Sequence, residues 1–338
     1  MKKQILLIST GGTIGSTVNA GTINTSNNAQ LKLLQLFQQQ DSHNDIEFDC
    51  RQPLQILSEN LVPSVWQTLI HAIEAENLKN YHGLIITHGT DTLAYTACVL
   101  SFYFHALNMP MLLVSSDYPL DDIRANGLKN FTCAVEYIRQ AQPTGVFVPY
   151  QNHGQEMQLH LASRLTSSLQ LSSDFYSVQN KPFMIFKNKQ FIKQFEIISS
   201  DITVSLKPDF NANILLIKPY PALNYSNLNL QNVNAVLHDL YHSGTACVTN
   251  QWGEQYSLIE FLKRCKVEQI PVYLAPMIYS KNAYQSTREL LNYGAIPLWN
   301  ISLEVAYTKI LIAHSNFSEF SHCLKFLQQN LANEQIQN

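Results

Sequence analysis

Short apolar runs alternate with longer amphipathic segments along the first half of the chain. The apolar runs predict buried strands at residues 4–9, 83–88, 111–115 and 145–149. The amphipathic segments predict helices at residues 30–40, 62–77, 92–107, 121–140 and 158–169. Strands that alternate with helices of this length are typical of crossover units. We therefore expect an α/β fold in which a mostly parallel, doubly wound sheet forms a larger N-terminal domain.

The pattern changes between residues 181 and 212, where short Lys-containing segments and two prolines favour strands or a linker over a long helix. Alternation then returns and predicts strands at 213–218, 244–249 and 270–275. Helices are predicted at 227–239, 255–265, 282–292, 302–313 and 316–331. At 338 residues the chain exceeds the roughly 250–300 residues at which one core stops growing. We expect an N-terminal domain at 1–190, a linker at 191–211 and a smaller C-terminal α/β domain at 212–338.

Composition and charge narrow the possible partners. Charged residues make up only 14% of the chain, the net charge is −3, and no dense Lys/Arg patch occurs, so we expect no nucleic-acid partner. The six cysteines are scattered without a C-x-x-C pair, which favours reduced, buried thiols over a zinc site or disulfides. No His/Cys/carboxylate cluster has ligand spacing, so neither a metal nor an organic cofactor is expected.

The N-terminus carries only a faint likeness to a secretion signal. Its apolar stretch spans about four residues, whereas the apolar region of a signal peptide needs about 7–15. No apolar run approaches the roughly 20 residues that span a bilayer. We therefore expect a cytoplasmic protein without a membrane partner.

A glycine turn follows the first apolar run directly, at the place where a parallel strand would end. It contains Gly11, Gly12 and Thr13. Open α/β sheets bind ligands at this edge, and glycines let a substrate approach backbone N–H groups closely. Threonine attacks a substrate only when a base and oxyanion donors assist it. Thr13 is therefore a candidate nucleophile, and the alternative is a tight turn without chemistry.

A second turn follows the apolar run at 83–86 and reads His-Gly-Thr-Asp-Thr over residues 88–92. It places Thr90 and Asp91 at the start of a helix. One interpretation is a plain N-cap that satisfies free backbone amides. The other is a ligand site, because a carboxylate beside a hydroxyl at this edge can hold an ammonium group. The presence of both turns in one chain favours a shared site.

Both turns lie within longer stretches that resemble the two signatures of the bacterial asparaginase/glutaminase family. The stretches are Thr10-Gly11-Gly12-Thr13-Ile14-Gly15 and His88-Gly89-Thr90-Asp91-Thr92-Leu93-Ala94-Tyr95-Thr96-Ala97. The cytoplasmic type I asparaginases are the most similar members. The resemblance implies deamidation of L-asparagine to L-aspartate through an acyl-enzyme. It also implies a homodimer or homotetramer whose active sites lie near a subunit contact.

The same resemblance assigns roles residue by residue. Thr13 matches the nucleophile and Thr90 the second catalytic threonine. Asp91 matches the residue that holds the substrate α-ammonium group. Ser58 matches the residue that binds the α-carboxylate, since it stands eight residues before Trp66 as the family pattern requires.

Two further residues belong to the predicted substrate site. Gly12 lies within the first signature, where a substrate would contact the backbone. Glu59 stands where the family more often has Gln or Ser. It can pair with the substrate ammonium group, and the alternative is an exposed loop acid.

The chain departs from the family at two positions expected to move protons. Thr22 takes the place of a tyrosine on the loop after the first turn, although residues 15–29 still look like a lid. Leu159 takes the place of the family lysine, and no lysine occurs between residues 130 and 180. His160 is one residue away and is either a substitute base or a capping or surface residue.

Two other departures concern the surroundings of the site. The family's Thr-Gly-Ser is replaced by Val114-Ser115-Ser116, followed by Asp117, which alters the expected pocket floor. The family's Gly-x-Gly-Asn is not recognisable at residues 242–247, where a neighbouring subunit would contribute.

Three functions remain open from the sequence. The first is an asparaginase-like amidohydrolase with reduced or altered activity, because the four pocket residues persist. The second is an asparaginase-fold protein that binds an amino acid without turnover, because the lysine and the lid tyrosine are lost. The third is an amidotransferase component that acts on charged tRNA. The low basic content and the lack of an extra N-terminal domain weigh against it.

Overall fold

The computed structural model describes residues 2–19, 22–25, 29–198 and 202–337, and within residues 15–29 it describes the backbone alone. The chain forms two compact units. The first comprises Met1–Pro208 with Leu331–Asn333, and the second comprises Asp209–Asn330 with Glu334–Asn338. The predicted linker at 191–211 begins within the last strand of the first unit.

The first unit is built on an eight-stranded sheet. Its strands are β1 (Lys3–Ser9), β4 (Ile46–Arg51), β5 (Gly83–Thr87), β6 (Pro110–Val114), β7 (Gly145–Tyr150), β8 (Met157–Leu161), β9 (Met184–Lys187) and β10 (Gln190–Lys193), and a separate hairpin pairs β2 (Ser16–Asn19) with β3 (Thr22–Thr25). Its helices are α1 (Ala29–Gln40), α2 (Pro63–Glu74), α3 (Leu93–Tyr103) and α4 (Gly127–Arg139).

The strand order places a topological switch point at β1, next to the edge strand β4. The order is β10-β9-β8-β7-β6-β5-β1-β4, and the five strands from β7 to β4 run parallel. The strand β4 pairs with one edge of β1, and the next strand in the sequence of this sheet, β5, pairs with the other edge. Ligand sites of doubly wound sheets lie beyond the carboxyl ends of the strands at such a point. Ser9 and Thr87 pair in register there.

Continuous apolar sequence explains the central strands. The side chains of residues 5–8 and 84–86 are fully buried, as expected for parallel strands that are covered by helices on both faces. A second stabilising feature is a cluster of aromatic rings on one face, where Phe131 contacts Phe37 edge-on and Phe147 stacks on Phe183. Thus the predicted α/β fold with its mostly parallel sheet is confirmed.

Two local predictions for this unit are corrected. The segment 158–169, predicted as a helix, contains β8, which runs antiparallel to both β7 and β9. Its alternation of Gln158, Leu159, His160 and Leu161 has the period of a strand. The strand β4 was not predicted, because acidic residues interrupt its apolar positions at the edge of the sheet.

The second unit contains a four-stranded parallel sheet. Its elements are β11 (Ile214–Ile217), β12 (Ala235–His238), α5 (Leu258–Val267), β13 (Val272–Met277), α6 (Gln285–Asn292), β14 (Ile296–Trp299), α7 (Leu303–Asn316) and α8 (Phe320–Gln328). The helix predicted at 227–239 is wrong, because its end forms the buried strand β12. The strand predicted at 244–249 is also wrong, since only an isolated bridge joins Tyr241 and Thr245. The strand β14 was not predicted.

A buried ion pair lies in this unit. Lys309 on α7 donates hydrogen bonds from Nζ to Glu334 Oε1 at 2.6 Å and to the carbonyls of Leu327 and Gln329, and both charged side chains are inaccessible to solvent.

Across the described residues, none of the helices has the length and hydrophobicity needed to cross a membrane.

Candidate active site

The two glycine turns touch each other at the switch point. A Cβ atom added to Gly12 would lie 2.3 Å from the backbone nitrogen of Gly89, so the two backbones are in direct contact. Gly12 also has a φ of +76°, which favours glycine. Thr13 and Thr90 each follow one of these contacting glycines. The structure thus brings the two predicted threonines to adjoining turns beyond neighbouring strands.

Backbone hydrogen bonds fix the first turn. Thr10 N donates to Thr87 O at 3.3 Å, and Thr10 Oγ1 donates to the same carbonyl at 2.7 Å. On the other side, Ile56 N donates to Thr10 O at 2.9 Å and Gly12 N donates to Ile56 O at 3.0 Å. The turn is therefore held both by β5 and by the segment that follows β4.

Ser58 reaches the second turn from that segment. Its Oγ donates to Asp91 Oδ2 at 2.8 Å and accepts from Asp91 N at 3.2 Å, although the residues are 33 positions apart. Thr92 Oγ1 donates to Ser58 O at 3.0 Å. Ser58 is buried, and the Asp91 residue is exposed. The structure therefore joins the two residues predicted to bind the polar groups of an amino acid.

The remaining predicted site residues occupy the accessible side of these turns. Thr13 and Thr90 are partly exposed, so a ligand can reach them. Glu59 lies next to Ser58 in a single 3₁₀ turn, and its side chain is exposed. The N-cap residue of α3 is Thr92 rather than Asp91, and no side-chain capping hydrogen bond is present there. This leaves the Asp91 carboxylate bonded to Ser58.

A chain of buried side chains supports the second turn, and the sequence pattern does not predict it. Trp66 Nε1 donates to Thr96 Oγ1 at 2.9 Å, Thr96 Oγ1 lies 3.0 Å from His88 Nε2, and His88 Nδ1 lies 2.8 Å from Gly89 O. Burial lowers the pKa of His88, which favours its neutral form. The network depends on how α2 and α3 pack, which residue spacing does not reveal.

The residues predicted to replace the family lysine lie outside the site. Leu159 is fully buried in the hydrophobic core and pairs with Met184 on β9. His160 is also fully buried on β8, its Nδ1 lies 2.8 Å from Ser177 Oγ, and burial lowers its pKa to about 3. The alternative interpretation of His160 as a surface or capping residue is therefore wrong, and so is its interpretation as a base exposed to substrate.

The segment after β8 folds back toward the carboxyl edge of β7. Leu165 and Ser177 form an isolated bridge at its base. Asn152, just beyond β7, donates to Phe175 O at 2.7 Å and accepts from Phe175 N at 2.9 Å. This returning segment, residues 165–177, is therefore fastened beside the edge where the glycine turns lie.

The altered pocket floor after β6 has a structural role of its own. Asp117 Oδ1 accepts from Tyr118 N and Asn126 N, both at 2.9 Å, and so closes the loop that leads to α4. Ser115 is fully buried, and its hydroxyl has no hydrogen-bond partner among the described residues.

The predicted lid falls partly outside the described residues. Backbone pairing of β2 with β3 places a hairpin directly after the first turn. The side chain of Thr22, which stands at the family's tyrosine position, is not among those described. Within the described ranges, no group of three or more His, Cys, Asp or Glu side chains is placed to hold a metal ion.

Comparison with known proteins agrees with this architecture. The profile of the family described as "Asparaginase, N-terminal" matches residues 4–197. The chain is 26% identical to a glutamyl-tRNA(Gln) amidotransferase subunit of Aeropyrum pernix, over 98% of this chain and 79% of that protein. The corresponding protein of Saccharolobus solfataricus is also 26% identical, over 98% of this chain and 76% of its own length.

Solved structures show the same fold. L-asparaginase I from Vibrio cholerae superposes with a TM-score of 0.79 at 25% identity over the whole of both chains. The thermostable L-asparaginase from Thermococcus kodakarensis gives 0.83 at 22% identity, over 99% of this chain and all of its own. The fold and the family profile place the chain among the α/β proteins of the asparaginase fold. The chain belongs to the asparaginase family.

Proposed function

We propose that the chain hydrolyses the side-chain amide of L-asparagine to L-aspartate and ammonia, with Thr13 as the nucleophile. The observation that carries this proposal is the contact between Gly12 and Gly89, which places Thr13 and Thr90 in adjoining turns at the switch point of the sheet. A nucleophile needs such neighbours, because an isolated threonine hydroxyl is too weak to attack an amide.

The proposed reaction has two steps. Thr13 Oγ attacks the amide carbon and loses its proton, the C–N bond breaks, and ammonia leaves after accepting a proton. The product of this step is an ester between Thr13 and the aspartyl group. Water then adds to the ester carbonyl, and cleavage of the C–O bond releases aspartate and restores the hydroxyl. Thr90 is proposed to assist proton movement beside Thr13.

Ser58 and Asp91 are proposed to select an α-amino acid. The Asp91 carboxylate matches an ammonium group in charge, and charge-assisted hydrogen bonds are the stronger class. Ser58 Oγ donates to Asp91 Oδ2 at 2.8 Å. We therefore expect this hydroxyl to turn toward the substrate carboxylate on binding. Gly12 would contribute backbone contact, and Glu59 would add negative charge at the rim.

The second candidate is binding of an amino acid without turnover. It is favoured by the placement of Leu159 and His160, since one lies in the core and the other is buried and uncharged at neutral pH. Neither can accept a proton from Thr13. The geometry of the two turns fits either function, and we place hydrolysis first because the nucleophile and the amino-acid contacts occur together.

The assembly and location are also proposed. Similarity to proteins named as an amidotransferase subunit makes amides other than asparagine candidates, so glutamine belongs in the assay. We propose a homodimer or homotetramer, as the family resemblance implies. We also propose a cytoplasmic location, as the resemblance to the cytoplasmic type I asparaginases implies.

Ammonia release from L-asparagine and L-glutamine tests the proposal. Thr13→Ala should lower turnover by at least about 10³-fold, as loss of a nucleophile does in hydrolases with comparable machinery. Thr13→Ser should keep a measurable rate. Turnover that survives Thr13→Ala would contradict the proposed nucleophile. Calorimetric binding of asparagine by a wild-type protein that releases no ammonia would establish the second candidate.

A further inference from the structure

Three hydrogen bonds connect Trp66, Thr96, His88 and Gly89, and the donor of each can be assigned from the chemistry of the groups. An indole N–H only donates, so Thr96 Oγ1 must accept from Trp66. The single hydroxyl proton of Thr96 is then directed to His88 Nε2. A carbonyl oxygen only accepts, so Gly89 O must accept a proton from His88 Nδ1. One neutral imidazole form, protonated on Nδ1, satisfies all three contacts.

This series of hydrogen bonds ends at the carbonyl oxygen of the peptide group between Gly89 and Thr90. The peptide bond between Gly89 and Thr90 is trans and planar, so its C=O and N–H point in opposite directions. His88 is buried and pulls the carbonyl oxygen toward its own ring. The N–H of Thr90 is thereby turned to the other side of the peptide, away from the buried ring.

The backbone that leads to this peptide group is confined as well. His88 N donates to Val114 O at 2.9 Å. A Cβ on Gly12 would lie 2.8 Å from the carbonyl carbon of His88, and a Cβ on Gly89 would lie 2.4 Å from Ser58 Oγ. Little room remains for this backbone to rotate once the ring holds the carbonyl.

We propose that His88, protonated on Nδ1 and held by Thr96 and Trp66, is a positioning residue that aims the Thr90 N–H and side chain into the site. The inference rests on the proposed function and deepens it. A backbone N–H directed at the reacting carbonyl stabilises the negative charge that develops there, and it does so without reorganisation. Hydrogen bonds in a chain also polarise one another, which strengthens the donor at the end.

The variants separate the two nitrogen atoms of the ring. His88→Asn keeps a donor near Nδ1 and should retain most of kcat. His88→Leu keeps bulk without a donor and should lower kcat by about 10²-fold with KM close to wild type, the loss typical for one oxyanion donor. The matched control is His105→Asn, because His105 Nδ1 lies 2.8 Å from Phe102 O at the opposite end of α3. This control should leave kcat unchanged.

Nuclear magnetic resonance of ¹⁵N-histidine-labelled protein gives a readout that does not need turnover. The resonance lost in His88→Asn should report a neutral ring with the proton on Nδ1 from pH 6 to pH 8. A proton on Nε2, or a folded His88→Leu protein with wild-type kcat, would overturn the inference. If the wild type releases no ammonia, the proposed function fails, and the ring assignment still decides whether His88 holds this peptide.

Discussion

Gly12 packs against Gly89 with no space for a side chain on either residue. A Cβ on Gly12 would approach Gly89 N to 2.3 Å, and a Cβ on Gly89 would approach the Ser58 side chain to 2.4 Å. Three segments that are remote in sequence thus meet at one point. The two turns and the segment with Ser58 can only shift together, so the geometry of the site depends on this contact.

Gly12→Ala should abolish activity and destabilise the protein. The substitution combines a left-handed backbone, which costs about 1–3 kcal/mol for an L-residue, with a collision against backbone that cannot move aside. Gly154→Ala is the matched control, because Gly154 has a φ of +70° and no atom within 4 Å of an added Cβ. It should show the backbone cost alone and keep full activity. Equal stability of the two variants would contradict the contact.

Ser58→Ala should weaken substrate binding more than it slows chemistry. It removes the donor to Asp91 Oδ2 and the acceptor for Asp91 N. Interactions made equally in the ground and transition states affect KM, and we expect a rise of about tenfold, equivalent to about 1.4 kcal/mol. The surface variant Ser64→Ala is the control. A fall in kcat with an unchanged KM would show that Ser58 acts on the reacting atoms instead.

Leu159→Lys should not restore a base. Leu159 is fully buried in the core, so a lysine there is an unpaired buried charge and should lower the free energy of unfolding by about 3–5 kcal/mol. Leu169→Lys, which makes the same exchange at an exposed residue, should change stability by less than about 0.5 kcal/mol. Chemical denaturation measures both. Increased ammonia release by folded Leu159→Lys protein would refute this placement.

The protein should lose stability on mild acidification through His160. Its pKa is about 3 in the folded state because of burial, whereas an unfolded histidine has a pKa near 6.5. Below pH 6.5 the unfolded state binds a proton that the folded state does not, so stability falls as pH falls through this range. This histidine alone should contribute a loss of about 2 kcal/mol between pH 7 and pH 5.

Denaturation of wild type and His160→Gln at the two pH values measures this contribution. The variant should be less stable at pH 7 and should show a smaller loss on going to pH 5. An identical pH dependence in both proteins would mean that His160 is accessible to solvent in the folded state.

Removal of one charge of the Lys309–Glu334 pair should strongly lower the free energy of unfolding. Glu334→Gln leaves the buried ammonium group without its counter-charge and should destabilise by about 3–5 kcal/mol. Lys309→Met leaves the carboxylate in the same condition and should cost a similar amount. The double variant should be less destabilised than the sum of the two, since no uncompensated charge remains. Additive losses in urea denaturation would show that the two groups do not interact.

The central part of the fold could be predicted because local pattern and tertiary environment agree there. The run at residues 5–8 is apolar throughout, and only a strand covered on both faces buries it completely. The edge strand β4 was missed because an edge position tolerates polar residues. The strand β12 was assigned to a helix, since its short apolar stretch follows an Asn-rich segment and fits either period.

Some residues of the candidate site could also be predicted from the sequence, and others could not. Thr13 and Thr90 could be identified because each lies in a glycine turn directly after a strand, and strand order alone then brings the turns together. Ser58 came from the family resemblance. The role of His88 could not be predicted, because it depends on Trp66 and Thr96 meeting between two helices. The segment that would carry the family's lysine was predicted as a helix at 158–169, and it contains the strand β8 instead.

The strand direction reverses after β7, and this reversal leaves one segment beside the two turns whose sequence can change without changing the turns. Because β8 runs antiparallel to β7, the polypeptide must cross the sheet again, and Asn152 ties the returning residues 165–177 to the rim that holds both threonine turns. A stretch far along the sequence from Thr90 is thereby brought to the edge of the sheet that carries the two turns, through a connection that lies outside the switch point. Substitutions in residues 165–177 can therefore change that edge of the sheet while the backbone hydrogen bonds of the first turn to Thr87 and Ile56 stay intact.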